Sequence, residues 1–129
     1  MTERDLATVG LPDDRDQPAW EEIQKGMRNA DELKSIGKQQ AAFLLLWIAF
    51  EQTIRKLLIE AGLPLERLAP AIMIRQLYSE GILSMAQFDV ARSCLETRNL
   101  VVHGFDKPDL NDEYERLRAV LAELLPTSS

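Results

Sequence analysis

The residues best equipped for chemistry gather in one stretch, Arg98-Asn99-Leu100-Val101-Val102-His103-Gly104, which holds the single histidine of the chain. Read as a helix, Ala91, Cys94, Leu95, Val101, Val102 and Phe105 form an apolar stripe with Arg98 in its middle. A guanidinium is effectively always charged. In such a stripe it requires a carboxylate partner, a bound anion, or acceptors from a second subunit. His103 follows five residues later, directly before Gly104, a residue suited to end a helix. A helix C-terminus favours the protonated imidazole.

The elements that must position this pair read as helices throughout. Pro18 suits a first turn, and Trp20, Ile23, Met27, Ala30 and Leu33 recur at helical spacing until Gly37. A longer helix is expected over Lys38 to Ala61, stopping at Gly62 with Pro64 beyond. Its first half is apolar nearly all round, as befits the centre of a bundle, and Glu51 then opens its polar part as a partner for Arg98. A shorter helix runs from Pro70 to about Glu80, with Ile72, Met73 and Leu77 inward and Gly81 closing it. Ser84-Met85-Ala86-Gln87 has the spacing of a capping box and starts the helix that ends at His103. Asp106 to Asn111, with Pro108, reads as a loop, and Tyr114, Leu117, Leu121 and Leu124 mark a last helix. No segment alternates with period two. The expected fold is all-α: a compact four- to five-helix bundle, antiparallel and up-and-down, with a short extra helix. Its core is expected to include Trp47, Phe50, Ile54, Leu57, Leu77, Leu95 and Leu121.

At 129 residues and 46% hydrophobic, the chain can bury a core without staples. It divides into a mobile acidic lead-in over 1–17, a single bundle over 18–125 and a tail over 126–129. The net charge of −6 is lopsided: residues 1–22 hold seven acids against two bases, and the remainder is close to neutral. Broad non-specific binding to nucleic acid is thereby disfavoured, whereas a local basic site is not. The lone Cys94 can form no internal disulfide, and Met1-Thr2-Glu3-Arg4-Asp5 lacks the order of a signal peptide, so a cytoplasmic setting is expected. The longest apolar run, Ala41 to Phe50, is ten residues, against the roughly 20 a membrane span needs. One histidine and one cysteine make no zinc cluster, no glycine-rich phosphate loop occurs, and no cofactor is expected.

With Arg98, Asn99 and His103 near the end of a late helix, and Glu51 midway along a long core helix, the chain resembles the HEPN domains (higher eukaryotes and prokaryotes nucleotide-binding) over about residues 20–125. Ribonucleases of that family carry arginine, four residues, then histidine, often with a polar residue directly after the arginine. The resemblance implies metal-independent RNA cleavage of toxin or defence type, in a homodimer whose two-fold axis brings two Arg/His pairs into one cleft. His103 would exchange a proton with the ribose 2′-hydroxyl or the leaving oxygen, and Arg98 would stabilise phosphate charge. Asn99 would orient the ring or hydrogen-bond a phosphate oxygen, and Glu51 would support the site. Five helical residues turn through about 500°, which leaves Arg98 and His103 about 140° apart, so that a second copy, or an unwound last turn, is needed to aim both at one phosphate. An antitoxin or a larger defence complex is a conceivable protein partner; a membrane is not. In toxins of this family silenced by a nucleotidyltransferase, the residue two after the histidine is a tyrosine that receives the nucleotide. Here it is Phe105, which has no hydroxyl to modify.

Readings without chemistry stand beside these. Arg98 and Glu51 would form a structural ion pair, His103 a helix terminus, and Asn99 a solvated polar residue. Cys94 fits the core, Trp20 and Trp47 fit as packing anchors, and Asp112, Glu113, Glu115, Arg116 and Arg118 as a solvated helix face. On that view the chain is a catalytically silent helical module that dimerises or docks a protein.

Overall fold

The computed structural model describes residues 18–63, 69–106 and 109–126. The lead-in 1–17, Pro64, Pro108 and the tail beyond Pro126 lie outside the described residues. Among the described residues the protein is an all-α bundle of five helices without strands: α1 (Trp20–Ser35), α2 (Gln39–Glu60), α3 (Pro70–Ser79), α4 (Met85–Val102) and α5 (Asn111–Leu124).

The punctuation in the sequence acts as its chemistry dictates. Pro70 opens α3, where its missing N–H has no helical partner to lose. Ser84 forms the full capping box of α4: its Oγ accepts from the Gln87 backbone N–H at 3.1 Å, and the Gln87 side chain accepts from the Ser84 N–H at 2.9 Å. Helices α1 to α4 each end two positions before a glycine, with one cap residue between, at Gly37, Gly62, Gly81 and Gly104. α5 begins at Asn111, the last residue of the expected loop, whose N–H donates to Asp109 Oδ1 at 2.9 Å.

The core is organised around α2, which buries Phe43, Leu46, Trp47, Phe50, Ile54 and Leu58 against the other four helices. Each fully buried large side chain contributes about 1.5–3 kcal/mol through removal of apolar area from water. Of the seven expected core residues, Trp47, Phe50, Ile54, Leu77 and Leu121 are buried, while Leu57 and Leu95 are half-buried and pack against them. Ile72 does not point inward as expected. α3 buries Met73, Ile74 and Leu77, and Ile72, about 140° round from Leu77, faces outward.

Specific contacts fix how the helices run. Lys56, late in α2, lies 5.0 Å from the ring centre of Trp20 at the start of α1, so these two are antiparallel. Gln87 at the start of α4 donates to Glu123 near the end of α5 at 3.0 Å, so that pair is antiparallel as well. The Leu110 N–H donates to Gln39 Oε1 at 2.8 Å, bringing the starts of α2 and α5 together. Arg118 holds Asp31 with both carboxylate oxygens engaged, at 2.9–3.0 Å, which ties α5 to α1. The C-terminus of α4 thus sits at the end of the bundle where α1 finishes and α2 and α5 begin. No described helix is long and apolar enough to cross a membrane.

Candidate functional site

The end of α4 is built by backbone geometry before any side chain matters. His103 is the C-cap residue, and its N–H still donates to Asn99 O at 3.1 Å. Gly104 then takes φ 85°, a left-handed conformation that other residues adopt at a cost. This turn lets the Gly104 N–H reach Val101 O and the Phe105 N–H reach Leu100 O, both at 3.0 Å, which satisfies carbonyls the helix leaves free. Because His103 keeps its helical hydrogen bond, it remains about 140° round the axis from Arg98.

The buried stripe of α4 is displaced from the one expected. Ala91, Cys94 and Val101 are buried, and the slot between them is filled by Thr97, 6% exposed. Its hydroxyl donates to Ser93 O at 3.3 Å, so a polar side chain faces the core without an unsatisfied group. Hydropathy favours Leu95 and Val102 for the buried face, and helical spacing then puts Arg98 between them; Arg98 instead lies about 60° round from Val101, at the edge of the buried face. It is half-buried.

Arg98 does not pair with Glu51. One of its terminal nitrogens donates to Asn99 Oδ1 at 3.0 Å, and it makes no ion pair among the described residues. Glu51 accepts from the Trp47 indole N–H at 2.8 Å and lies 4.0 Å from Arg55. Both partners are one turn away on its own helix, so local geometry captures the carboxylate before a distant guanidinium can. Trp47, 2% exposed, is a packing anchor whose single polar atom requires this acceptor.

Asn99, bonded through its oxygen, keeps its amide N–H groups as donors beside the guanidinium. Asn99 and His103 are exposed, as are Leu100 at 45%, Val102 at 48% and Phe105 at 61%. The helix end therefore presents a cation, amide donors and an imidazole amid apolar side chains. Leu100 and Phe105 occupy the two positions that commonly touch in this type of helix termination. Cys94 is not part of the site: burial, reinforced by the Glu113 charge, pushes its thiol up to about 12, and its Sγ lies 3.7 Å from Glu113 O. Among the described residues, no three His, Cys, Asp or Glu side chains are placed to hold a metal ion.

Sequence reasoning missed one polar cluster, at the same end of the bundle. Asp31 accepts from Arg118 and, at 2.5 Å, from the Tyr114 hydroxyl. Lys34 pairs with Glu115 and lies 5.2 Å from the Tyr114 ring centre. Burial alone would raise the Asp31 pKa, but the bonds from Arg118 and Tyr114, with the Arg118 and Lys34 charges, hold it below the ordinary value. Tyr114 is shifted upward by burial and by Asp31. An open groove of about 500 Å³ runs beside these residues, bordered also by Gln39 and Asn111. Arg118 and Glu115 are thus ties between helices and not merely a solvated face; Arg116 and Asp112, 2.7 Å apart and exposed, fit that description better. Asp31 and Arg118 are 87 residues apart, and no local spacing signals their meeting.

Comparison of the chain with family models, with curated proteins and with solved structures finds no match.

Proposed function

We propose that this chain is a HEPN-like, metal-independent endoribonuclease of toxin or defence type, with a site completed by a second copy of itself. The observation that carries this reading is the Arg98–Asn99 pair, a guanidinium oriented by an amide and left without a carboxylate, on the same helix end as the exposed His103. A carboxylate-free guanidinium with neighbouring amide donors is suited to a phosphodiester. Since one chain aims Arg98 and His103 about 140° apart, the homodimer places the end of each α4 near the two-fold axis, so that Arg98 of one copy faces His103 of the other. Val102 and Phe105, both largely exposed, become buried in that arrangement. The lone, buried thiol of Cys94 accords with a reducing, cytoplasmic setting.

In the reaction, neutral His103 takes the proton of the ribose 2′-hydroxyl. The 2′-oxygen attacks phosphorus, the bond to the 5′-oxygen breaks, and the departing oxygen takes the proton from the imidazolium just formed on His103, which returns to its neutral state. The products are a 2′,3′-cyclic phosphate and a 5′-hydroxyl. Arg98, held by Asn99, stabilises the charge that builds on the phosphate oxygens. The experiment is incubation of the purified protein with a panel of labelled RNAs in excess chelator, with end-group analysis of the products. Cleavage with cyclic phosphate ends, abolished in Arg98→Ala and His103→Ala, is the expected result. An inert wild-type protein overturns the reading.

The exposed Leu100, Val102 and Phe105 also favour a second reading, a silent module that docks a protein such as an antitoxin or a subunit of a larger defence complex. A protein partner that buries this surface, on a chain with no activity toward RNA, would be its signature.

A further inference from the structure

α4 carries a second feature. Phe88, Arg92, Leu95, Asn99 and His103 recur every three or four residues and line one outer face of the helix, from its first turn to its C-cap. The Phe88 ring stacks on Tyr78 of α3, with centroids 4.5 Å apart and planes 21° from parallel. The Arg92 guanidinium lies 5.5 Å from the Phe88 ring centre. Arg92 is exposed and makes no ion pair among the described residues, although Asp89 and Glu96 are one turn to either side on its own helix. A long cationic side chain held by an aromatic ring, and not by a carboxylate, keeps its charge available while losing some of its freedom.

Resting on the ribonuclease reading above, we infer that this face is the track along which single-stranded RNA reaches the Arg98/His103 site, and that Arg92 is a phosphate-binding residue on it. Arg92 is six residues from Arg98 and eleven from His103, about 9 and 16 Å along the axis. A stacked strand advances about 3.4 Å per nucleotide, so Arg92 meets a phosphate within about five nucleotides of the cleaved bond, fewer if the strand is extended. The chemistry selects a single strand. An unpaired chain can follow one helix face, with a splayed base stacking on the guanidinium plane, whereas a duplex presents only its phosphate edge to so narrow a strip.

The test uses the full chain carrying His103→Ala, so that RNA survives the measurement, and reads fluorescence anisotropy of a labelled 20-nucleotide single strand across a salt series. Arg92→Ala should weaken binding about three- to tenfold at low salt. It should also flatten the salt slope by about 0.7, the value of one phosphate contact on a single strand. Lys25→Ala, removing an exposed charge on α1, should change neither quantity. A dinucleotide, whose one phosphodiester is held in the site and which leaves no phosphate for Arg92, should not distinguish Arg92→Ala from its parent. Equal losses for Arg92→Ala and Lys25→Ala, or an unchanged slope for Arg92→Ala, would overturn the track while leaving the ribonuclease reading intact. A duplex bound as well as the single strand, with the same dependence on Arg92, would overturn the selection for single strands. A wild-type protein that neither binds nor cuts RNA removes both.

Discussion

At the scale of single residues, the carboxylate that Arg98 does not meet is the instructive one. Glu51 is the acceptor for a nearly inaccessible indole N–H, so Glu51→Ala should destabilise the bundle by about 1–3 kcal/mol, whereas Glu51→Gln, which keeps an oxygen at that position, should cost less than half as much. Urea unfolding followed by tryptophan fluorescence distinguishes the two. Arg98→Ala should behave oppositely. With no buried partner to strand, it should shift stability by no more than about 0.5 kcal/mol while abolishing RNA cleavage. Asn99→Ala, which frees the guanidinium without removing it, should lower cleavage about tenfold, a loss of roughly 1.4 kcal/mol in transition-state stabilisation. The sequence marked Arg98, Asn99 and His103 as a group because their types and their place beside Gly104 are local facts. It did not reveal the partners of Arg98 and Glu51. A one-turn contact and a cross-bundle contact are equally open to a string of letters, and only the fold decides between them.

At the scale of elements, helix limits were almost fully legible. Proline, a Ser/Gln capping box and four glycines act through backbone chemistry that does not depend on the rest of the chain. The buried face of α4 was less so, because Thr97 turns inward by bonding its own backbone and no hydropathy pattern registers that. The glycine stop supports a test. A Cβ at position 104 would meet open space, so any penalty for Gly104→Ala comes from the φ of 85° alone and should be about 1–2 kcal/mol. Hydrogen exchange should quicken at the His103, Gly104 and Phe105 amides in that variant. Cleavage should fall with them, as the imidazole loses its fixed position. Cys94, facing the core of the same helix, should resist iodoacetamide at neutral pH in the native protein and react on unfolding.

At the scale of the whole molecule, the tie between α1 and α5 governs the response to acid. The carboxyl of Asp31 is held below its ordinary value by Arg118, Tyr114 and Lys34, so the folded state binds that proton less readily than the unfolded chain does. Its contribution is complete above about pH 4 and drains away as pH falls through the lowered value. Asp31→Asn should therefore lower stability near neutrality by about 1–2 kcal/mol, at the modest end for a charged hydrogen-bonded pair because both side chains remain about one-third exposed. It should also flatten the loss of stability as the pH falls below about 4, read as urea midpoints at successive pH values. The same tie has a meaning in time. Bringing residues 87 apart together costs about 4 kcal/mol in chain entropy on a logarithmic scaling, and α1 can pair with α2 across a far shorter connection. Docking of the final helix is then a late event that follows the barrier. Arg118→Ala should leave the folding rate nearly unchanged and speed unfolding by most of its destabilisation, a lopsided chevron in which α5 acts as the latch that sets how long the finished bundle lasts.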